Sequence, residues 1–220
     1  MNVIAAAIMA RRPDVTIEGG GGAIVVNTEG KATVGGTDAN AYTSVTINGA
    51  SEVNVTDNSG ASAAVGSKLT TVTLSEVTDA STITGKGVTT LNLVDIVGQD
   101  VTLVNATAKH ALTLSLDGVV ADDAGTENDP TDDTFGVVTD AEATSVTINA
   151  VDDSAIALAA AKATSLTVSG AGDVTLADAG SDYSALTTVA FTGAGTFTAD
   201  LTGAVKYGYR DLRPALEFVL

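Results

Sequence analysis

The sequence predicts an all-β protein, a right-handed parallel β-solenoid with coils of about 20 residues, and three observations support this fold class. One phrase occurs twice between Ala143 and Asp178, first as ATSVTINAVDDSAIALAAAK and then as ATSLTVSGAGDVTLAD. Apolar and polar residues alternate in each copy, which is typical of half-buried strands. Short turns rich in Gly, Asn and Asp separate the strands, and these residues tolerate the positive φ angles of tight corners. A repeat with two short strands and two corners is typical of one coil of a solenoid.

The repeat extends along most of the chain. Aligning the first apolar residue of each copy gives Val45, Val72, Leu91, Leu112, Val146, Leu166 and Val189. An earlier copy is expected at Val15, where VTIEGGGGAIVV repeats the order strand, glycine turn, strand. In the doubled phrase the second apolar pairs are expected to align, Ile156 with Val174 and Leu158 with Leu176. The inward columns are expected to be aliphatic, since aromatic residues make up only 4% of the chain.

The repeats are expected to form one domain over residues 15–204, with insertions at residues 59–68 and 121–135. The first insertion is rich in small residues and the second is acidic. Residues 1–14 are expected to be a short helix or the start of a fragment. Residues 205–220 break the pattern and are expected to be either a cap on the open end of the stack, which solenoids need, or a non-native tail.

An antiparallel β-sandwich is the alternative fold, because alternating strands joined by glycine-rich turns also produce it. The solenoid is favoured since each copy keeps the same internal order. The connecting turns are also more alike than the loops of a sandwich.

The charge balance limits the classes of partner. The chain has 27 acidic and 10 basic residues and a formal net charge of −17, whereas binding nucleic acid requires clustered Lys and Arg. Anionic membrane surfaces are poor partners for the same reason, and no apolar run approaches the roughly 20 residues of a membrane-spanning helix. The absence of cysteine excludes disulfides and thiolate sites. A soluble acidic surface that binds or tolerates divalent cations is expected.

The acidic insertion contains the candidate metal ligands. These are Asp122, Asp123, Glu127, Asp129, Asp132 and Asp133. Calcium prefers such hard oxygen ligands and is the one cofactor that the sequence suggests. The spacing does not match an EF-hand loop, so a solvated acidic loop is the alternative.

The sequence offers little support for catalysis, and no catalytic residue is assigned. His110 is the single histidine, so a Ser-His-Asp arrangement would have to be built around it. Its position beside Lys109, just before a strand, predicts a surface residue. Asp152 and Asp153 are adjacent in a turn and are expected to face water. The protein is therefore expected not to be an enzyme. A polysaccharide-acting solenoid enzyme is the third functional hypothesis, after the two structural ones given below.

A column of Ser and Thr is expected on the outward face. It comprises Ser44/Thr46, Thr71/Thr73, Ser145/Thr147 and Ser165/Thr167. Flat threonine rows could order water and bind ice. However, Asn92, Ala111 and Ala190 interrupt the column, so a β-forming solvent face or a lattice contact is favoured.

Four phrases resemble the repeats of bacterial surface-layer proteins and of related RTX-type β-strand-repeat proteins. They are LTTVTLSEV, VTTLNLVDI, ATSLTVSGAGDVTLAD and AGSDYSALTTVAFTGAGTFTADLTGA. The resemblance implies an extracellular structural role at the cell surface, in a lattice usually held by calcium. The paired-glycine calcium nonapeptide of RTX proteins is not present as a tandem, and the stretch 169–173 (SGAGD) is only a shortened echo. No calcium ligand is therefore carried over from that family.

Two functional hypotheses follow. The first is a structural module of a secreted surface protein that self-associates, or binds neighbouring surface-layer subunits, with calcium assistance. The second is an adhesin or passenger-type stalk whose inserted loops bind a partner, with polysaccharide as one candidate.

Overall fold

The computed structural model describes residues 5–6, 14–35, 42–57, 67–104, 109–123, 133–201, 208–209 and 216–219. Within these ranges the chain forms twenty strands and no helix, so no described helix could span a membrane. The strands alternate along the chain between two ten-stranded sheets, and successive coils are about 21 residues apart. All pairs of neighbouring strands are parallel. The predicted β-solenoid is confirmed, and the antiparallel sandwich is excluded.

The two sheets use alternate strands. Sheet A consists of β1 (Ala5–Ala6), β3 (Gly22–Asn27), β5 (Tyr42–Asn48), β7 (Thr71–Ser75), β9 (Thr90–Val94), β11 (His110–Asp117), β13 (Ala143–Ala150), β15 (Ser165–Gly170), β17 (Thr188–Phe191) and β19 (Gly208–Tyr209). Sheet B consists of β2 (Val15–Glu18), β4 (Ala32–Gly35), β6 (Val53–Thr56), β8 (Ser81–Thr84), β10 (Val101–Val104), β12 (Val137–Asp140), β14 (Ser154–Ala159), β16 (Val174–Asp182), β18 (Phe197–Asp200) and β20 (Leu216–Val219). The chain crosses from sheet A to sheet B along one long edge, the A-to-B edge, and returns along the opposite B-to-A edge.

Both terminal segments contribute strands. Ala5 and Ala6 pair with β3, so these two residues are extended where a short helix was one expectation. The other residues before Asp14 lie outside the described residues. At the other end, β19 and β20 extend the two sheets beyond residue 204. Whether residues 205–220 are a cap or a non-native tail stays a prediction.

The register differs from the predicted alignment at β11. Leu91 lies beside Leu114 and not beside Leu112, whereas Leu112 lies beside Val146 as predicted. The eight residues of β11 have apolar side chains at three alternate positions. A shift of two residues therefore keeps every apolar side chain in the core, and the alternating pattern alone cannot distinguish the two registers.

Two other predicted alignments were wrong. Val15 belongs to sheet B, so the earlier copy begins at Ile24 of sheet A, which lies one coil before β5. Ile156 lies beside Leu176 and not beside Val174. The second error is again a shift of two residues, which preserves the side of the sheet that each side chain faces.

Aromatic residues occupy parts of the core, so the prediction of entirely aliphatic columns was wrong. Tyr42 is fully buried, and its hydroxyl lies within hydrogen-bonding distance of the carbonyl oxygens of Gly19 and Gly35, at 2.8 and 2.6 Å. Burial raises the pKa of Tyr42. Towards the other end, the buried rings of Phe191 and Phe197 stack with their centroids 5.9 Å apart.

Glycine has two separate roles at the corners of the A-to-B edge. Gly49 has a φ angle of 74°, as expected for a turn glycine. Gly170 combines both roles, with a φ angle of 111° and a Cβ position only 2.0 Å from the carbonyl oxygen of Ala150. Gly172 and Gly195 are required by close approach. A Cβ on Gly172 would lie 2.2 Å from the carbonyl carbon of Asp152, and one on Gly195 would lie 2.3 Å from the carbonyl oxygen of Gly172. These neighbours are backbone atoms, so no side-chain rotation could relieve the clash.

Gly172→Ala is expected to lower the free energy of unfolding by about 3 kcal/mol, because the added methyl group separates two stacked coils. Gly35→Ala is the matched control, since its Cβ would meet only the carbonyl oxygen of Ile17 at 3.9 Å. Urea unfolding followed by circular dichroism measures both. Equal losses in the two variants would contradict the close-approach argument.

Ser81 interrupts an apolar column inside sheet B. It lies between Val53 and Val101 and is only 3% exposed. Its Oγ has no hydrogen-bond partner among the residues that the structure describes. Burying an unbonded hydroxyl is unfavourable by about 1–3 kcal/mol, so this position lowers the stability of the solenoid.

Ser81→Ala is expected to raise the free energy of unfolding by about 1 kcal/mol, because the unbonded hydroxyl is removed. Ser154 is a buried serine of the same sheet whose Oγ accepts from the amide of Val119 and donates to the carbonyl oxygen of Asp152. Ser154→Ala should therefore destabilise. The two variants are compared by urea unfolding, and changes of the same sign would refute this explanation.

Candidate functional site

The acidic insertion leaves the solenoid on the A-to-B edge, between β11 and β12. Val120, the last residue before it, pairs with Val97 of the preceding coil. Asp122 and Thr134 then pair in antiparallel fashion and exchange two backbone hydrogen bonds of 2.9 and 2.8 Å. This pair closes the base of the loop, and we call residues 122–123 and 133–134 the neck of the insertion.

Glycines hold the neck against the preceding coil. A Cβ on Gly98 would lie 2.7 Å from the Cβ of Asp122, and one on Gly136 would lie 2.3 Å from the carbonyl oxygen of Gln99. Only glycine permits these contacts. The insertion therefore starts and ends at fixed points on the surface.

The structure describes three of the six predicted metal ligands. Asp122 and Asp123 are exposed, and Asp133 is half-buried. Because Asp122 pairs with Thr134 in antiparallel fashion, Asp123 and Asp133 are the next opposed pair in the neck. The remaining three candidates, Glu127, Asp129 and Asp132, lie outside the described residues. Within the described ranges no group of three or more His, Asp or Glu residues could hold a metal ion, so the calcium site stays a prediction.

Several aspartates of the A-to-B edge bind the backbone of the next coil. Oδ1 of Asp153 accepts from the amide of Asp173 at 2.8 Å, and Oδ1 of Asp173 accepts from the amide of Thr196 at 2.6 Å. Asp14 and Asp100 bond to the following coil in the same way. Each carboxylate supplies an acceptor just before a sheet B strand begins. Asp153 is exposed as predicted, but sequence reasoning missed this bond.

Threonines form a matching ladder on the B-to-A edge. Oγ1 of Thr187 donates to the carbonyl oxygen of Thr164 at 3.0 Å, and Oγ1 of Thr164 donates to that of Thr144 at 3.2 Å. Thr144 donates in turn to the carbonyl oxygen of His110 at 3.2 Å. The signal in the sequence was the Ala-Thr-Ser triplet, which occurs at residues 143–145 and 163–165, where β13 and β15 begin. Both long edges are thus joined from coil to coil by bonds between side chains and the backbone.

The outward face of sheet A has a continuous hydroxyl column. Its successive members are Ser44, Thr71, Thr90, Thr113, Thr147 and Thr167. The register at β11 places Thr113 in this column, so the predicted interruption by Ala111 was wrong. Asn92 belongs to the adjoining column, where its side-chain amide donates to Oγ1 of Thr73 at 2.9 Å. Ala190 follows Thr167 and ends the column. A lattice contact on this face stays a prediction.

His110 is buried and paired with Asp140, so its predicted surface position was wrong. Nε2 of His110 lies 2.8 Å from Oδ2 of Asp140, and the two side chains are 7% and 0% exposed. Oδ1 of Asp140 accepts from the amides of Glu142 and Ala143 at 3.1 and 3.2 Å. The carboxylate therefore caps the turn between β12 and β13 and ties it to the start of β11. This geometry supports a structural role for the pair.

Asp140→Ala is expected to lower the free energy of unfolding by about 3 kcal/mol or more, because two amides and a buried imidazole lose their acceptor. Asp140→Asn should lose less, since its amide oxygen can still cap the turn. Asp178→Ala, at an exposed position of sheet B, is the control. Thermal and urea unfolding report the differences, and an Asp140→Ala variant as stable as the control would contradict the structural role.

Comparison with known proteins gives no match: no family model, no curated protein and no solved structure matches this chain. The likeness to surface-layer repeats therefore depends on the quoted phrases alone. Function has to be inferred from the solenoid, its two edges and its insertion.

Proposed function

We propose that this chain is a structural, non-enzymatic module of a secreted bacterial cell-surface protein, which associates with further copies of itself or with neighbouring surface-layer subunits. The observation that carries the proposal is the uninterrupted stack of two ten-stranded parallel sheets. Each coil of such a stack contacts chiefly its neighbours, and the stack as a whole forms an extended, regular surface. A surface of this kind suits repeated contacts between like subunits.

The polar residues support the same role. Asp153 and Asp173 bind backbone amides of the next coil, and Asp140 binds His110 and a turn. These are groups from which catalytic chemistry could otherwise be built. In this chain they contribute to holding the coils together.

Calcium assistance is part of the proposal and is assigned to the acidic insertion. Asp123 and Asp133 are opposed in the neck, and directly opposed like charges destabilise an antiparallel pair. A divalent cation bound by these carboxylates would remove that repulsion. Their oxygen atoms are the ligands that calcium prefers, and three further carboxylates of the same loop are available to complete the coordination.

The position of the neck favours one second candidate, an adhesin or passenger-type stalk. Gly98 and Gly136 allow the base of the insertion to lie directly on the preceding coil. A loop presented at a fixed point on a long scaffold is suited to binding a partner, for which a polysaccharide is one candidate.

Calcium added to chelator-treated protein is expected to raise both the unfolding temperature and the weight-average sedimentation coefficient. The Asp123→Asn/Asp133→Asn variant should lose most of this response, because the neck carboxylates are removed. Glu18→Gln/Asp178→Asn is the matched control, since it removes two exposed carboxylates of sheet B. Magnesium at equal concentration controls for ionic strength.

The outcomes separate the parts of the proposal. A chain that stays monomeric in every ionic condition, alone and with neighbouring surface proteins, is not a lattice module. Self-association without a calcium response would overturn only the proposed role of calcium. A monomeric chain that binds a partner through residues 121–135 would favour the stalk.

A further inference from the structure

We infer that two copies of this chain associate side by side, with the A-to-B edge of one solenoid against the B-to-A edge of the next. The inference depends on the proposed structural function and specifies its contact surface. It is carried by the separation of charge between the two edges.

The A-to-B edge is acidic over residues 28–173. Every described corner of this edge between residues 28 and 173 has at least one carboxylate. Glu76, Asp79, Asp95 and Asp100 are exposed in two successive corners. Lys31 is the single basic residue among the described corners here, and its Nζ lies 2.7 Å from Oε1 of Glu52 on the same edge.

The B-to-A edge carries the lysines. Four of the five lysines that the structure describes lie there, all exposed: Lys68, Lys86, Lys109 and Lys162. The first three occupy successive corners, at 57–70, 85–89 and 105–109. Asp57 is the one acidic residue in these three corners, and it is 5% exposed and accepts from the hydroxyl of Ser67. Lys162 is paired with Glu142 on its own edge.

The two rows of charge have the same spacing. Parallel strands are about 4.8 Å apart, so both edges advance by that distance per coil. Lys86 belongs to the same coil as Glu76 and Asp79, and Lys109 belongs to the same coil as Asp95 and Asp100. A second copy displaced sideways, with no shift along the solenoid axis, would therefore place its lysines level with these carboxylates.

The geometry of this contact determines the assembly. The two surfaces that meet are different, so an associated pair keeps one unused edge of each kind, and the contact can repeat without closing. The product is a row of solenoids one molecule thick, with the outward faces of both sheets left uncovered. Such a row is a suitable element of a planar layer.

Salt is expected to have two opposite effects on the strength of association. The net charge of −17 makes copies repel at long range, but salt screens this repulsion beyond about 8 Å at physiological ionic strength. Exposed ion pairs weaken as salt rises further. Association is therefore expected to be strongest at intermediate ionic strength.

Two charge-reversed variants test the contact. Lys68→Glu/Lys86→Glu/Lys109→Glu makes these three corners of the B-to-A edge acidic. Glu76→Lys/Asp79→Lys/Asp95→Lys makes corner 76–80 of the A-to-B edge basic and leaves corner 95–100 neutral, because Asp100 is kept for its hydrogen bond from the amide of Val137. Each variant alone is expected to have an apparent association constant at least tenfold below that of the parent chain, by sedimentation velocity at about 0.15 M salt with chelator present. An equimolar mixture should regain association, because each acidic edge then meets a basic one.

A chain with all six substitutions is the control for net charge. It has the same net charge as the parent with the local charges of both edges exchanged, and it should associate like the parent. Circular dichroism and thermal unfolding of each variant establish that it folds, and Lys68→Gln/Lys86→Gln/Lys109→Gln replaces the first variant should that one fail to fold.

The proposed function and this inference fail in different ways. A parent chain that associates while both reversed variants associate equally well, or a mixture that remains monomeric, overturns the edge contact and leaves the structural function standing. Association of the parent that is lost once calcium is chelated also overturns it, because the edge contact requires no cation. A parent chain that never associates overturns both.

Discussion

Each coil of this solenoid has to form hydrogen bonds with the coil before it along both sheets, at a distance of about 4.8 Å. That constraint extends into the corners, where backbone segments one repeat apart nearly touch. Gly172 lies against the backbone of Asp152, and Gly195 lies against Gly172. The residue that a corner tolerates is therefore decided by the corner one coil earlier, which links positions about 20 residues apart.

The same constraint explains where the polar residues are used. Strand ladders end at the corners, and backbone amides there need other acceptors. Asp153 and Asp173 supply them on one edge, and hydroxyls such as that of Thr164 bind carbonyl oxygens on the other. Much of the acidic and hydroxyl content that is typical of these repeats is therefore structural. The insertion is what the stacking does not require.

The alternating pattern was sufficient to predict the fold and the buried side of most strands, because burial follows the period of two; β14 is an exception, with Ile156, Ala157 and Leu158 all buried. It could not predict the register at β11, since Leu112 and Leu114 satisfy the pattern equally well. The closure of the acidic insertion by the pairing of Asp122 with Thr134 was not predicted. The partner of His110 was missed because Asp140 lies thirty residues away and no local pattern connects the two.

The two edges of the solenoid differ in charge, although its repeat is near-uniform. The neck of the insertion follows β11, whereas the three successive lysine corners precede β7, β9 and β11. A cation at the neck and lysines from a neighbouring copy would thus reduce the repulsion of one acidic edge at different coils. Neither would displace the other. Each would neutralise carboxylates of this edge and would thereby reduce the repulsion that the other has to overcome. Calcium and lateral association should therefore reinforce each other even though they share no residue.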